Sequence, residues 1–295
     1  MKNLLFKGCG TAIATPFIND EINFEEFGKL IEFQINNGCD ALIVCGTTGE
    51  ASAMSTEEKK QAIKFAVEKV NKRIPVIAGT GGNNTKKVIE MSKYSEEVGA
   101  DGLLIVTPFY NKTTQAGLVE HYRVVAENTK LPIIVYSVPS RTGLNVEPKT
   151  CVELSKIDNI IGIKEASGNL SQIAKIASLC KDNFIIYSGN DDQILPILSL
   201  GGKGVISVLS NIAPQYTHDM MENYFNGNIE LATKMQIECI ELVEALFCEV
   251  NPIPVKAALN MLGYNYGTPR LPLVEMTEDG QKKLQKSLKN FGLMK

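Results

Sequence analysis

Ile160-Ile161-Gly162-Ile163-Lys164-Glu165-Ala166-Ser167-Gly168 is a short apolar run that ends in a lysine and then in a Ser-Gly turn. A run of this kind, bounded by a turn, reads as a buried parallel strand with Lys164 at its carboxyl end. An ammonium there either escapes to solvent or enters a pocket, and a lone strand-end lysine ordinarily escapes. In a pocket, loss of water disfavours the charged form and lowers the pKa. A neutral amine attacks carbonyls and forms a Schiff base. Which fate Lys164 meets depends on what the chain assembles around that strand end.

Outward from this stretch one pattern repeats. Apolar runs at 9–17, 41–45, 75–79, 102–106 and 132–136 precede it, and runs at 184–189 and 204–208 follow. Helical spacing separates them. In 23–37, for example, Phe24, Phe27, Leu30, Ile31 and Ile35 share one face. Ser55 precedes another helix as N-cap, with Glu58 three residues on as in a capping box. Further helices are expected at 85–98, 114–129, 148–156, 170–180 and 192–200. The strands are continuous apolar runs rather than alternating ones, as parallel strands covered on both faces are. Strand–helix crossovers are right-handed, and eight of them closing make a (β/α)8 TIM barrel. A doubly wound open sheet is the rival, weakened because no G-x-G-x-x-G turn follows the first strand. Beyond Gly227 no strands intervene. Helical stretches at 229–247, 252–262 and 277–290 form a C-terminal α-helical appendage. The expected division is a catalytic barrel over 1–227 and a helical domain over 228–295.

The chain's 295 residues, 44% of them hydrophobic, suffice for a large core of this kind. A formal net charge of −3 supplies no broad footprint for nucleic acid or for an anionic membrane. No apolar run reaches the ~18 residues of a membrane span, and the N-terminus lacks a signal-peptide pattern. Seven cysteines, an odd number with no C-x-x-C spacing, read as reduced core thiols of a cytoplasmic protein. Cys45 beside Gly46-Thr47-Thr48 is a candidate nucleophile. His121 and His218 are the only histidines, both in helical contexts, which weakens a Cys-His pair and a histidine-rich metal site alike.

In such a barrel the active site lies at the carboxyl ends of the strands. Thr47 and Thr48 follow the second strand, and Tyr110 follows the fourth. Tyr136 ends the fifth, with Arg141 in its loop. Lys164 ends the sixth, and Gly189 and Asn190 follow the seventh. Singly these residues have ordinary readings: threonines cap turns, tyrosines pack at strand ends, and arginines cover surfaces. Together they place an amine, phenols, hydroxyls and a guanidinium at one mouth. That set suits imine chemistry on a carbonyl compound bearing a carboxylate. The amine forms the imine, a phenol shuttles protons, and hydroxyls and backbone amides hold the carboxylate. The Arg141 fork suits a second carboxylate.

Gly46-Thr47-Thr48-Gly49-Glu50, Tyr136-Ser137-Val138-Pro139-Ser140-Arg141-Thr142-Gly143 and Gly162-Ile163-Lys164-Glu165-Ala166-Ser167-Gly168 resemble the signatures of the 4-hydroxy-tetrahydrodipicolinate synthase (dihydrodipicolinate synthase) family. That family belongs to the pyruvate-dependent Schiff-base aldolases, with N-acetylneuraminate lyase as a sister. The resemblance covers nearly the whole chain. It implies that Lys164 condenses with pyruvate, that the resulting enamine attacks L-aspartate 4-semialdehyde, and that no cofactor beyond the covalent imine takes part. It makes Tyr136 the proton donor and acceptor. Thr47 and Tyr110 become its relay partners, the latter reaching over from a neighbouring subunit. It assigns Thr48, Ile206 and Gly189 to pyruvate and Arg141 to the semialdehyde carboxylate, and it implies a homotetramer built as a dimer of dimers in lysine and diaminopimelate biosynthesis.

The alternatives are a lyase for another aldehyde, against which Arg141 and Thr47 speak, and a keto-acid sensor, which needs no proton relay. Ser137 departs from the family's usual asparagine, with a small effect expected. Many relatives are inhibited by lysine at a site between subunits. The matching positions here carry Lys59 where a histidine can occur, Lys87 where a glutamate can occur, and Phe109 where a tyrosine is common. Two cations repel a cationic ligand, so lysine inhibition is expected to be weak or absent.

Overall fold

The computed structural model describes residues 2–295; Met1, the first residue of the expected barrel domain, lies outside the described residues. Eight parallel strands close into a barrel. They are β1 (Gly8–Ala12), β2 (Ala41–Val44), β3 (Val76–Gly79), β4 (Gly102–Val106), β5 (Ile133–Ser137), β6 (Ile160–Glu165), β7 (Ile185–Ser188) and β8 (Gly204–Ser207). Each strand pairs with its sequence neighbours, and β8 returns to β1 with Gly10 beside Ile206.

The helices between them are α1 (Phe24–Asn36), α2 (Thr56–Val70), α3 (Thr85–Glu97), α4 (Gln115–Ala126), α5 (Pro148–Ser155), α6 (Leu170–Cys180) and α7 (Ile194–Ser199). The capping box at α2 forms in full: Ser55 accepts from the Glu58 amide at 3.2 Å, and the Ser55 amide donates to the Glu58 carboxylate at 2.7 Å. After β8, α8 (Pro214–Phe225) completes the eighth cycle with proline in its first turn. The tail adds α9 (Ile229–Glu238), α10 (Ile240–Leu246), α11 (Ile253–Met261) and α12 (Glu278–Asn290).

Two details differ from the sequence reading. The single helix expected over 229–247 breaks at Cys239, whose φ of −82° and ψ of −8° open one turn. The Cys239 thiol donates to the Gln236 carbonyl at 3.2 Å, and the Gln236 side chain is bound to the Asp191 carbonyl and the Leu195 amide. That anchorage to the barrel fixes α9 before α10 begins. The second detail is in β6, where Ile133 pairs with Ile160 but Ile134 pairs with Gly162, so Ile161 is an extra residue. A bulge of this kind shifts the alternation of inward and outward positions.

The core has two layers. Ile160, Ile163, Val135 and Ile186 pack outward against the helices. Ile134, Tyr136, Ile161, Tyr187 and Ile206 fill the barrel interior with Phe6 beneath them. Phe6 stacks on Tyr187 with ring centroids 4.4 Å apart, and the Tyr187 hydroxyl donates to its carbonyl at 2.8 Å. Gly162 has no room for a side chain, since a Cβ there would stand 2.2 Å from the Ile185 carbonyl oxygen. This close approach of β6 and β7 fixes the strand that carries Lys164.

Candidate active site

Lys164 follows Ile163, which packs outward, and it is 5% exposed at the carboxyl end of β6. Strand register puts Tyr136 on one side of it and Tyr187 on the other. Its ammonium lies 4.4 Å from the centre of the Tyr136 ring. Loss of water pulls its pKa down to about 8, opposed by attraction from Asp191 and assisted by repulsion from Arg141. About a tenth of the amine is therefore neutral at pH 7, against well under a thousandth for an unperturbed lysine. Gly189 packs directly against this side chain, since a Cβ there would meet the Lys164 Cε at 3.1 Å.

Tyr136 is buried, and burial raises its pKa while Arg141 and Thr47 draw it back. The phenol thus holds its proton at neutral pH and can give it to a leaving oxygen. Thr47, Tyr136 and Arg141 line a cavity of about 470 Å³ that continues outward between the starts of α2 and α3 to Lys59, Lys87 and Phe109. Lys164 does not line this cavity, but its ammonium is 4.4 Å from the ring centre of Tyr136, which does. Arg141 sits on the helical turn Pro139–Thr142 and donates to the Asn251 carbonyl at 3.1 Å. Thr48 is buried, and its hydroxyl accepts from the Asn251 side chain at 3.0 Å. Ile206 is in the barrel interior on β8, paired with Gly10.

Tyr110 is the exception. Strand position alone places it at this chain's own mouth, but it is 91% exposed, with a left-handed φ of 68°, and does not line the cavity. Ser137 is fully buried and faces away from the cavity, where its hydroxyl accepts from the Val146 amide at 3.2 Å. The departure from asparagine therefore touches loop packing, not the cavity wall.

Two residues escape a sequence reading. Asp191 is 2% exposed, and one carboxylate oxygen accepts from the Val208 and Leu209 amides at 3.0 and 2.9 Å. Its attraction is the main force holding a proton on Lys164. The adjacent acids after Gly189 were the available signal. Asn251 belongs to the tail and reaches both Thr48 and Arg141, a connection that no local pattern announces.

Cys45 fails as a nucleophile. Burial pushes its thiol up to about 12. Both histidines are engaged elsewhere, His121 with Thr85 at 2.9 Å and His218 with Asp40 at 3.0 Å. Six cysteines are buried, Cys248 is exposed, and all seven are free thiols. Among the described residues no group of three or more histidine, cysteine, aspartate or glutamate side chains could hold a metal ion.

A buried lysine of lowered pKa against a tyrosine, at the carboxyl end of a closed (β/α)8 barrel, defines a lyase of the Schiff-base class. The model of the dihydrodipicolinate synthetase family matches residues 5–291. The chain is 54% identical over 294 residues to a 4-hydroxy-tetrahydrodipicolinate synthase of Acetivibrio thermocellus, covering all of both chains. It is 57% identical over 292 residues to one of Thermoanaerobacter pseudethanolicus, covering 99% of this chain and 98% of that one. The crystal structure of dihydrodipicolinate synthase from Thermotoga maritima superposes with a TM-score of 0.97 at 44% identity, covering 99% of this chain and 100% of that one. The chain belongs to the dihydrodipicolinate synthetase family. Its reaction is the family's, the condensation of pyruvate with L-aspartate 4-semialdehyde through a lysine imine, with no added cofactor.

Proposed function

We propose that Lys164 is the imine-forming lysine of this reaction and that Tyr136 moves its protons. The neutral Lys164 amine adds to the keto carbon of pyruvate. Tyr136 gives its proton to the departing hydroxyl, water leaves, and the imine forms. Loss of a methyl proton then makes the enamine, whose carbon attacks the semialdehyde aldehyde. The substrate's own amino group displaces Lys164 and closes the ring. Thr47 hands protons on from Tyr136. Thr48, Gly189 and the backbone at Ile206 receive the pyruvate carboxylate, and Arg141 receives that of the semialdehyde. The observation that carries this reading is the buried Lys164 ammonium over the Tyr136 ring, with its pKa drawn down to about 8.

The exposure of Tyr110 supports a relay completed between chains, its phenol entering a neighbouring subunit's site. The enzyme is then a homo-oligomer, a dimer of dimers, acting in the cytoplasm. The catalytic unit is the barrel through residue 227, and the helical tail from 228 supports its mouth.

The deciding experiment follows pyruvate consumption with the semialdehyde, N-acetylmannosamine and glyceraldehyde offered in parallel. Turnover with the semialdehyde is expected. Turnover only with a sugar aldehyde would overturn the assignment of Arg141 while leaving Lys164 in place. Borohydride reduction in the presence of pyruvate, read by peptide mass, should mark Lys164 alone.

A further inference from the structure

Side chains alternate along β6, so Lys164 enters the barrel and Glu165 beside it turns outward, toward α6. Glu165 is fully buried, and among the described residues no cation pairs with it. One carboxylate oxygen accepts from the Ser167 amide at 3.2 Å and from the Ser167 hydroxyl at 2.9 Å. The other accepts from the Gln172 side chain at 3.1 Å. Gln172 and Asn145 join their amides by two reciprocal hydrogen bonds, at 2.7 and 3.2 Å. Glu165, Gln172 and Asn145 thus tie the end of β6 to the first turn of α6 and to the loop that follows the Arg141 turn. The backbone adds two more ties. The Glu165 carbonyl accepts from the Gly189 amide at 2.7 Å, and the Ala166 amide donates to the Ser137 carbonyl at 2.9 Å. Gly189 is the residue that lies against the Lys164 side chain. A carboxylate held by hydrogen bonds alone is costly to bury, and no step of the reaction consumes or releases its proton.

We infer that Glu165, held by Gln172, is a positioning residue that fixes the aim of the Lys164 amine at the keto carbon of pyruvate. The inference rests on Lys164 being the imine-forming lysine. Glu165 acts through the strand end and not by contact with substrate, since its carboxylate lies on the helix side of β6. The last residues of a strand are its least constrained, and a reacting group displaced by about 1 Å can lose about 100-fold in rate. A carboxylate suits this place because every group that faces it is a donor. Thr48 and Ile206, proposed for the pyruvate carboxylate, belong to other strands and their loops, so binding of pyruvate should be spared when the aim is lost.

The test measures the rate of borohydride trapping at saturating pyruvate, and the KM for pyruvate, in wild type, Glu165→Ala, Glu165→Gln, Gln172→Ala and the Glu165→Ala/Gln172→Ala double variant. Gln172 is half-buried on a helix, and alanine keeps its helix propensity, so Gln172→Ala folds even if Glu165→Ala does not. Trapping in Glu165→Ala and Gln172→Ala should slow by about tenfold or more while the KM for pyruvate stays within about twofold. The double variant should be no slower than Glu165→Ala, because both changes remove one connection. Glu165→Gln should recover most of the rate. Its carbonyl oxygen accepts from Ser167, and the paired amides of Gln172 and Asn145 reverse together to accept its N–H. A merely structural role would lower the melting temperature and leave the rate per folded molecule unchanged. Wild-type rates in Gln172→Ala, a raised KM with an unchanged rate, or additive losses in the double variant would each overturn this inference and leave Lys164 in place. Failure of wild type to trap pyruvate on Lys164 would overturn the reading of Lys164 and this inference with it.

Discussion

Tyr136 and Lys164 stand opposite each other in register on adjacent strands, and the Lys164 ammonium is 4.4 Å from the centre of the Tyr136 ring. One tyrosine thus borders both the Lys164 amine and the cavity lined by Thr47 and Arg141. Separating the two roles is the first prediction. Lys164→Ala should abolish borohydride trapping of pyruvate. Tyr136→Phe should slow turnover by about 100-fold or more, the usual contribution of a positioned proton donor, while its melting temperature changes little. A Tyr136→Phe enzyme with near-normal turnover would remove Tyr136 from the proton path.

The depressed pKa of Lys164 sets the pH dependence of imine formation. The amine attacks only when neutral, so the rate of trapping should rise with pH through about 8 and level off above it. Asp191 attracts the proton and holds that value up. Asp191→Asn should therefore move the midpoint to lower pH, whereas a purely structural change would lower the plateau without moving the midpoint.

The same burial costs stability. The folded pKa is about 8 against 10.5 for an unperturbed lysine, so the charged form is disfavoured in the folded chain by about 3 kcal/mol. Both states are protonated below pH 8, and the cost is present in full there. Between about pH 8 and 10.5 the unfolded chain holds more protons, so stability rises with pH on this account. Lys164→Met should accordingly unfold at higher urea than wild type at pH 7, with the gap closing as pH passes 10. A variant less stable than wild type at pH 7 would contradict the desolvation argument.

Glu50 and Lys256 form an ion pair at 2.7 Å in which both side chains are only 1% exposed. The other Glu50 oxygen accepts from the Arg270 amide at 2.8 Å. Glu50→Gln leaves a buried ammonium without its counter-charge and should cost about 3–5 kcal/mol in urea unfolding. Adding Lys256→Met to that variant should recover much of the loss.

Arg141 tests the choice of aldehyde. Arg141→Ala should raise the KM for the semialdehyde by about 10- to 100-fold, the worth of a charge-assisted contact to a carboxylate. Trapping of pyruvate, which does not need that guanidinium, should persist.

The eight strands were legible because buried parallel strands are continuous apolar runs, and the structure keeps each within a few residues of its sequence reading. The α2 cap was legible because Ser55 and Glu58 carry their own local chemistry. The bulge in β6 was not, because Ile160-Ile161-Gly162 has no polar residue to reveal a change of phase. The break at Cys239 was hidden for a similar reason, since its cause is the distant Asp191 carbonyl held by Gln236. Lys164, Tyr136, Thr47 and Arg141 could be gathered from strand ends alone. Asn251 could not, because its link to the mouth spans 203 residues. The strand-end rule alone does not reveal that Tyr110 turns out to solvent, because it carries no information about a left-handed turn.

The tail's grip on the mouth has a consequence in time. Asn251 holds Thr48 and Arg141, and Lys256 holds Glu50, so these loops at the barrel mouth are fastened by residues made late in translation. A nascent chain can have every barrel strand outside the ribosome and still lack these fastenings. A chain that stops short of Asn251 lacks the contacts to Thr48, Arg141 and Glu50 that this structure shows, whatever its strands have done.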